Sequence, residues 1–252
     1  MLPFDEYGSR ENPTLLLLHG AAALDTFCGL YTPLAETYHL VVPHLAGAGQ
    51  SVETPYEPRR QKQALLELAD WLRDRDPRHR KLGLMGHSLG GQQAALLACA
   101  RPEQFACAVL LSVWLDPTPA QTRLYCVSAR LSAPLMHWKG LVRFQGRYWH
   151  YTEQQARRMA EDAARLTPEV YESFFAHTLR REQLPEYPGL TLPLLAACGS
   201  GEVKDIREGL TFFARNPHCR TVVLPHAGHD FPMRRAGQLQ ALVEPFLERY
   251  LK

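Results

Sequence analysis

The sequence has no apolar run approaching the ~20 residues needed to cross a bilayer. Stretches such as 15–18 and 109–111 end after a few residues, so no membrane span is expected. It also lacks any CxxC spacing. The six cysteines (Cys28, Cys99, Cys107, Cys126, Cys198 and Cys219) are scattered, several in apolar runs where a thiol packs as a small hydrophobe. Free thiols are expected, with neither disulfides nor zinc. Charge of one sign is not in large excess: 28 Lys and Arg are interleaved with 26 Asp and Glu for a net charge of +2. Without a concentrated basic footprint, a nucleic-acid partner is not expected. No Gly-Lys-Ser/Thr phosphate loop is present, and Gly47-Ala48-Gly49 lacks the rest of a dinucleotide fingerprint. No nucleotide, nicotinamide, flavin or other cofactor is implied. The opening residues MLPFDEYGS show no basic segment followed by an apolar run, so no secretory leader is read and a cytoplasmic location is expected. There is no internal repeat and no low-complexity segment.

What is present is an ordinary globular balance over 252 residues, 46% hydrophobic and 21% charged, which suits one main core with a modest insertion. Short apolar runs at 15–18, 38–42, 82–85, 108–113, 192–197 and 221–224 read as strands, and their bare apolar character suits a parallel sheet covered on both faces. Helix-length segments at 28–37, 61–74, 90–100, 205–215 and 238–250 alternate with them. The expected fold class is therefore α/β, a doubly wound, mostly parallel sheet. Between 117 and 188 the alternation stops, no strand is read, and helical patterns at 152–166 and 168–181 follow one another. The expected organisation is a core of 1–116 and 189–252 carrying a helical lid at 117–188. That insertion is rich in large side chains, including Tyr125, Met136, Trp138, Phe144, Tyr148, Trp149, Tyr151, Phe174 and Phe175. It cannot bury them alone, so it is expected to pack over the C-terminal edge of the sheet, where open α/β sheets hold their ligands. Its arginines Arg143, Arg147, Arg157 and Arg158 are either solvated helix faces or a greeting for an acidic substrate.

The decisive segment runs from Leu82 through Gly86-His87-Ser88-Leu89-Gly90-Gly91 to Pro102. It is Gly-x-Ser-x-Gly between an expected strand and an expected helix, the context in which that motif presents a nucleophilic serine on a sharp turn. Gly86 and Gly90 remove the Cβ atoms that would collide with the neighbouring strand and helix. Ser88 then points into the cleft at a helix N-terminus, where the Leu89 N–H can bind a developing oxyanion.

Together with this segment, His19-Gly20, Pro43-His44-Leu45-Ala46-Gly47-Ala48-Gly49-Gln50-Ser51 and Ala227-Gly228-His229-Asp230 give the chain a resemblance to the α/β-hydrolase superfamily. The resemblance implies that Ala21, after His19-Gly20, lends the second oxyanion N–H, with Ala22 as the fallback. It also implies an aspartate where this chain has His44, so a loop-stabilising contact is missing or replaced; His44 itself is not read as catalytic.

A serine hydroxyl needs a base, most often a histidine oriented by a carboxylate. His226 and His229 both follow the last expected strand, and Gly228-His229 fits the family pattern better. Their HxxH spacing lacks a nearby third metal ligand, and no metal is expected. His87 is expected to pack beside the serine turn. For the acid, Glu202 and Asp205 follow strand 192–197, and Asp116 follows strand 108–113. Counting three residues from Gly199, as the resemblance directs, gives Glu202 in place of the commoner aspartate; Asp205 could instead cap the following helix. The activity implied is hydrolysis of a carboxylic ester or related acyl compound, a small and apolar molecule, through an acyl-enzyme on Ser88. Thioester hydrolysis, C–C cleavage, a lyase step or mere binding of a small ligand would use the same site.

Overall fold

Runs of Leu, Val and Ala that would expose apolar surface on either side of a strand call for cover on both faces. The computed structural model describes residues 1–78 and 80–251. It has seven strands: β1 (Phe4–Tyr7), β2 (Thr14–Leu18), β3 (His39–Pro43), β4 (Leu82–His87), β5 (Phe105–Leu111), β6 (Leu194–Gly199) and β7 (Cys219–Leu224). They form one sheet in the order β1-β3-β2-β4-β5-β6-β7, parallel throughout except for β1, which pairs antiparallel with β3.

Alternation along β2 shows how the sheet divides the core. Leu15 and Leu17 face one side, where α1 (Cys28–Ala35) and α10 (Ala236–Tyr250) bring Leu30, Leu34, Leu239 and Val243. Leu16 and Leu18 face the other, against Leu65 and Leu68 of α2 (Pro58–Arg75) and Ala94 and Leu97 of α3 (Leu89–Ala100). Phe212 and Phe213 of α8 (Lys204–Phe213) extend that second layer. The short α9 (Phe231–Arg234) leads into α10. The architecture is the expected doubly wound α/β sheet. Unforeseen is β1, an edge strand whose half-polar FDEY carries little apolar signal because it pairs with β3 alone.

Between β5 and β6 lie four helices: α4 (Pro119–Met136), α5 (Lys139–Tyr148), α6 (Glu153–Arg165) and α7 (Pro168–Ala176). Among the described residues, 117–188 holds no strand. Their starts are written locally. Thr118 and Thr152 each form a reciprocal capping box with the glutamine three residues on, and Thr167 caps α7 ahead of Pro168 at its first position. The helix expected at 168–181 ends at Ala176, and α4 and α5 are additional to the helical patterns that the sequence shows in this stretch.

Polar ties fasten this helical segment to the sheet. The Tyr56 N–H donates to Ser173 Oγ at 2.8 Å, and the Gly49 N–H donates to Asp162 Oδ2 at 2.7 Å. Arg158 of α6 reaches Asp5 of β1 and Asp25 of the loop before α1, donating from Nε to Asp25 Oδ2 at 3.1 Å. Arg158 is therefore a clamp between the layers and does not line the cavity at Ser88.

Asp25 is 3% exposed and Arg158 29%. Burial raises the Asp25 carboxyl above its usual pKa, and the Arg158 guanidinium pulls it part of the way back. In Arg158→Ala that pull is lost while burial and the neighbouring Asp5 charge still act, so the folded-state pKa climbs further. A carboxyl with a raised folded pKa weakens the fold above its unfolded pKa of about 4 and costs nothing below it. Arg158→Ala is expected to lose about 2–3 kcal/mol at pH 7, less than the ~3–5 of a fully buried pair, because the arginine is partly solvated. Urea titrations of both proteins should show the deficit narrowing as the pH falls toward about 4.

Candidate active site

β4 runs straight into α3 through a single residue. Ser88 stands there at φ 53° and ψ −116°, a left-handed conformation that a side-chain-bearing residue adopts only under constraint, at a cost of about 1–3 kcal/mol. The constraint is close backbone approach. A Cβ on Gly86 would lie 2.2 Å from the Gly90 carbonyl oxygen, and one on Gly90 would lie 2.0 Å from the Leu18 carbonyl oxygen of β2. Both glycines are thus required by contact, as the motif suggested. The Ser88 N–H donates to Leu111 O at 2.8 Å, fixing the turn to the end of β5.

From the far end of the sheet two loops converge on this serine. His229 follows β7, and its Nε2 lies 3.0 Å from Ser88 Oγ. Glu202 follows β6, and its Oε2 lies 2.7 Å from His229 Nδ1. The carboxylate is buried, so it is no solvated loop charge. Its longer side chain curls back onto its own turn: Oε1 accepts from the Gly199 N–H at 2.8 Å and from Ser112 Oγ at 2.5 Å. Burial by itself would raise the Glu202 pKa, but the bonds from His229, Ser112 and Gly199 outweigh it and hold the carboxyl below its ordinary value. An ionised Glu202 accepts from Nδ1–H, which leaves Nε2 bare to accept the Ser88 hydroxyl proton.

Two other histidines hold backbone in place. His87 is buried and its pKa is lowered to about 3, chiefly by burial and then by His229, so near neutrality it is uncharged. Its Nε2 donates to the His229 carbonyl at 2.8 Å. His19, likewise buried, has a pKa lowered to about 4 by desolvation. Its Nδ1 donates to Gly20 O at 2.7 Å and its Nε2 accepts from the Leu45 N–H at 3.1 Å. The Gly20 carbonyl shares a peptide plane with the Ala21 N–H, so His19 orients the group that the resemblance named as an oxyanion donor.

The rival candidates lie elsewhere. Asp116 accepts from the Arg181 backbone N–H and side chain. Asp205 lies in the first turn of α8 and accepts from Gln121; the residue at the cap is Val203, so Asp205 does not cap that helix. His226, at φ 56°, is exposed, and its N–H donates to Ser200 Oγ. His44 replaces the aspartate of the resemblance in a different way: its Nδ1 accepts from the Gln50 N–H at 3.0 Å, bracing the same loop. Among the described residues no three His, Cys, Asp or Glu side chains group as a metal site would require.

Ser88, His229, Glu202, Ala21 and Leu89 all border one cavity of about 220 Å³. Its remaining wall is largely aromatic and aliphatic: Trp114, Tyr125, Phe174, Phe175, Val203 and Ile206. Tyr125 stacks on Phe175 with centroids 5.6 Å apart and meets Trp114 edge-on at 4.9 Å. Of the aromatic residues in 117–188, Tyr125, Phe174 and Phe175 line the cavity at Ser88. Arg143 and Arg157 line a separate cavity between α5 and α6. Sequence reasoning missed Ser112 and Trp114, since a serine and a tryptophan just past a strand carry no distinguishing pattern.

The comparisons with known proteins agree with this architecture. The family model for the alpha/beta hydrolase fold matches residues 13–196. Among the curated proteins none matches. A thermophilic esterase from Thermogutta terrifontis superposes with a TM-score of 0.76 at 20% identity, covering 100% of this chain and 94% of the esterase. A structure described under carboxylesterases of Nitrososphaera gargenis gives 0.75 at 13% identity, covering 98% and 93%. An enol-lactonase from Burkholderia xenovorans LB400 gives 0.70 at 19% identity, covering 98% and 96%. At these identities the likenesses speak to fold, and with the match across most of the sequence they lead to one statement of kinship: the chain belongs to the α/β-hydrolase fold family.

Proposed function

We propose that this protein is a serine hydrolase that cleaves carboxylic esters of small apolar acids through an acyl-enzyme on Ser88. The observation that carries the reading is the continuous chain from Ser88 Oγ to His229 at 3.0 Å and on to Glu202 at 2.7 Å, opening into an apolar cavity. His229 Nε2 takes the hydroxyl proton as Oγ bonds to the ester carbonyl carbon, and the carbonyl electron pair moves onto oxygen. The N–H groups of Ala21 and Leu89 receive that oxyanion; Leu89 opens α3, whose N-terminal field favours negative charge. Collapse expels the alcohol, which leaves with the proton from His229. Water then attacks the acyl group by the same route and frees the acid. Glu202 keeps Nδ1 protonated and offsets the charge of the imidazolium.

Cavity size supports a short acyl group. At about 220 Å³ it falls below the ~300–1,000 Å³ of sites that enclose drug-sized ligands. With p-nitrophenyl esters of graded length, turnover should be highest for the shortest acids and fall steeply by decanoate; a decanoate preference would contradict the assigned pocket. Ser88→Ala should lower hydrolysis by about 10⁴-fold or more with unchanged circular dichroism, whereas undiminished turnover would sink the proposal.

Glu202→Gln tests the acid separately. Three donors meet the two carboxylate oxygens, from His229, Ser112 and Gly199. An amide offers one acceptor oxygen and a donor group, so it favours the His229 tautomer that carries its proton on Nε2. A fall in kcat of about 10⁴-fold is expected, with KM little changed. Because the folded-state pKa of Glu202 is depressed, its ionised form stabilises the fold above about pH 4, and that contribution is lost as pH falls through the lower folded value. Denaturant midpoints of wild type and variant should therefore differ at pH 7 and converge in acid.

A further inference from the structure

Among the described residues, seven of the ten large apolar side chains that stand exposed fall within residues 124–148. Single exposed apolar residues are ordinary, but a cluster marks a surface with a partner. On α4, Leu124, Val127, Leu131 and Leu135 are 64%, 51%, 75% and 56% exposed, and Trp138 just beyond is 66% exposed. Steps of 3, 4, 4 and 3 residues keep them within one stripe of the helix, roughly 21 Å long at 1.5 Å per residue. The opposite face of α4 is already in use: Ala129 and Ala133 are buried, Cys126 lies against the Glu172 carbonyl of α7, and Tyr125 walls the Ser88 cavity.

Charge identifies what covers the stripe. Although the whole chain is nearly neutral, residues 117–152 hold Arg123, Arg130, Lys139, Arg143 and Arg147 and no Asp or Glu. Arg130 pairs with Glu169 and Glu172 of α7. The other four are exposed and, among the described residues, take part in no ion pair. Two copies packed through this face would bring basic groups together with no acid of the segment to answer them. An anionic lipid surface answers both features at once, accepting the leucines and the indole of Trp138 at the acyl boundary while phosphates meet the arginines and lysine. No helix among the described residues is long and apolar enough to cross a membrane, so α4 would lie in the plane of the interface.

We propose that the outer face of α4, with Trp138 and the flanking basic residues, docks this protein on the surface of anionic phospholipid membranes. The inference is independent of the chemistry assigned to Ser88, because binding alone reads it out. Docked this way, the Tyr125 wall of the cavity lies about one helix diameter, ~10 Å, from the lipid.

The test is co-sedimentation of the full chain with phosphatidylcholine vesicles, with and without phosphatidylglycerol. Binding should be at least about tenfold stronger with phosphatidylglycerol, since each basic residue near an anionic surface contributes about 1 kcal/mol. It should weaken at high salt as the screening length shrinks from ~10 Å at 0.1 M to ~3 Å at 1 M. The double variant Leu131→Glu/Leu135→Glu should lose binding while retaining its circular dichroism and its hydrolysis of soluble esters. Arg123→Glu/Lys139→Glu, which leaves the apolar stripe intact, should lose the preference for phosphatidylglycerol. Absence of vesicle binding, or equal binding to both vesicle types, overturns the proposal. So does lipid-free self-association that Leu131→Glu/Leu135→Glu abolishes, which would assign the face to a second copy of the chain.

Discussion

Everything about the candidate site depends on how closely three pieces of backbone approach one another at the end of β4. Gly90 sits against the Leu18 carbonyl and Gly86 against the Gly90 carbonyl at distances that leave no room for a methyl group. That squeeze forces Ser88 into the left-handed region and so turns its hydroxyl out of the sheet. The strain is small beside what opposes it, because β2, β4 and β5 are buried on both faces and the Ser88 N–H is tied to Leu111. A rigid sheet holds an unfavourable turn, and the turn holds the serine.

A second constraint is electrostatic. Glu202 is removed from water, and a carboxylate there is tolerable only because three donors converge on it. Ser112 supplies one of them from the end of β5, so the acid of the β6 loop is steadied by the neighbouring strand. His87 Nε2 and both ring nitrogens of His19, in side chains uncharged near neutrality, bond to two carbonyls and an N–H of the loops around Ser88. Neutral side chains can brace these loops without adding positive charge beside His229. The chain thus uses four histidines around the site in distinct ways: His229 against the serine, His87 and His19 against backbone, and His44 across the loop of Gln50.

The sheet was legible because its strands are bare apolar runs, and the turn because its glycines obey contact rules that hold in any sheet of this kind. β1 was not, since Phe4–Tyr7 alternates polar and apolar residues and pairs on one side only. α4 escaped for the opposite reason. Apolar residues on both its inner and outer faces blur the 3.6-residue period that reveals a helix with a single buried side. Among the acids, spacing alone left Glu202, Asp205 and Asp116 in competition; burial and partners separate them, and neither quantity is visible in a string of residues. The interleaving of charge seen across the whole sequence likewise concealed a stretch of 36 residues, 117–152, with no acid at all.

The inner and outer faces of α4 link the two proposals made for this protein, one face closing the cavity over Ser88 and the other meeting lipid. The central claim remains the activated serine. It is tested most directly by treating the native protein with an alkyl fluorophosphonate and locating the adduct by peptide mass spectrometry. The account predicts one label per chain, on Ser88, with ester hydrolysis lost in proportion. An unmodified Ser88 in protein that still hydrolyses esters would contradict it.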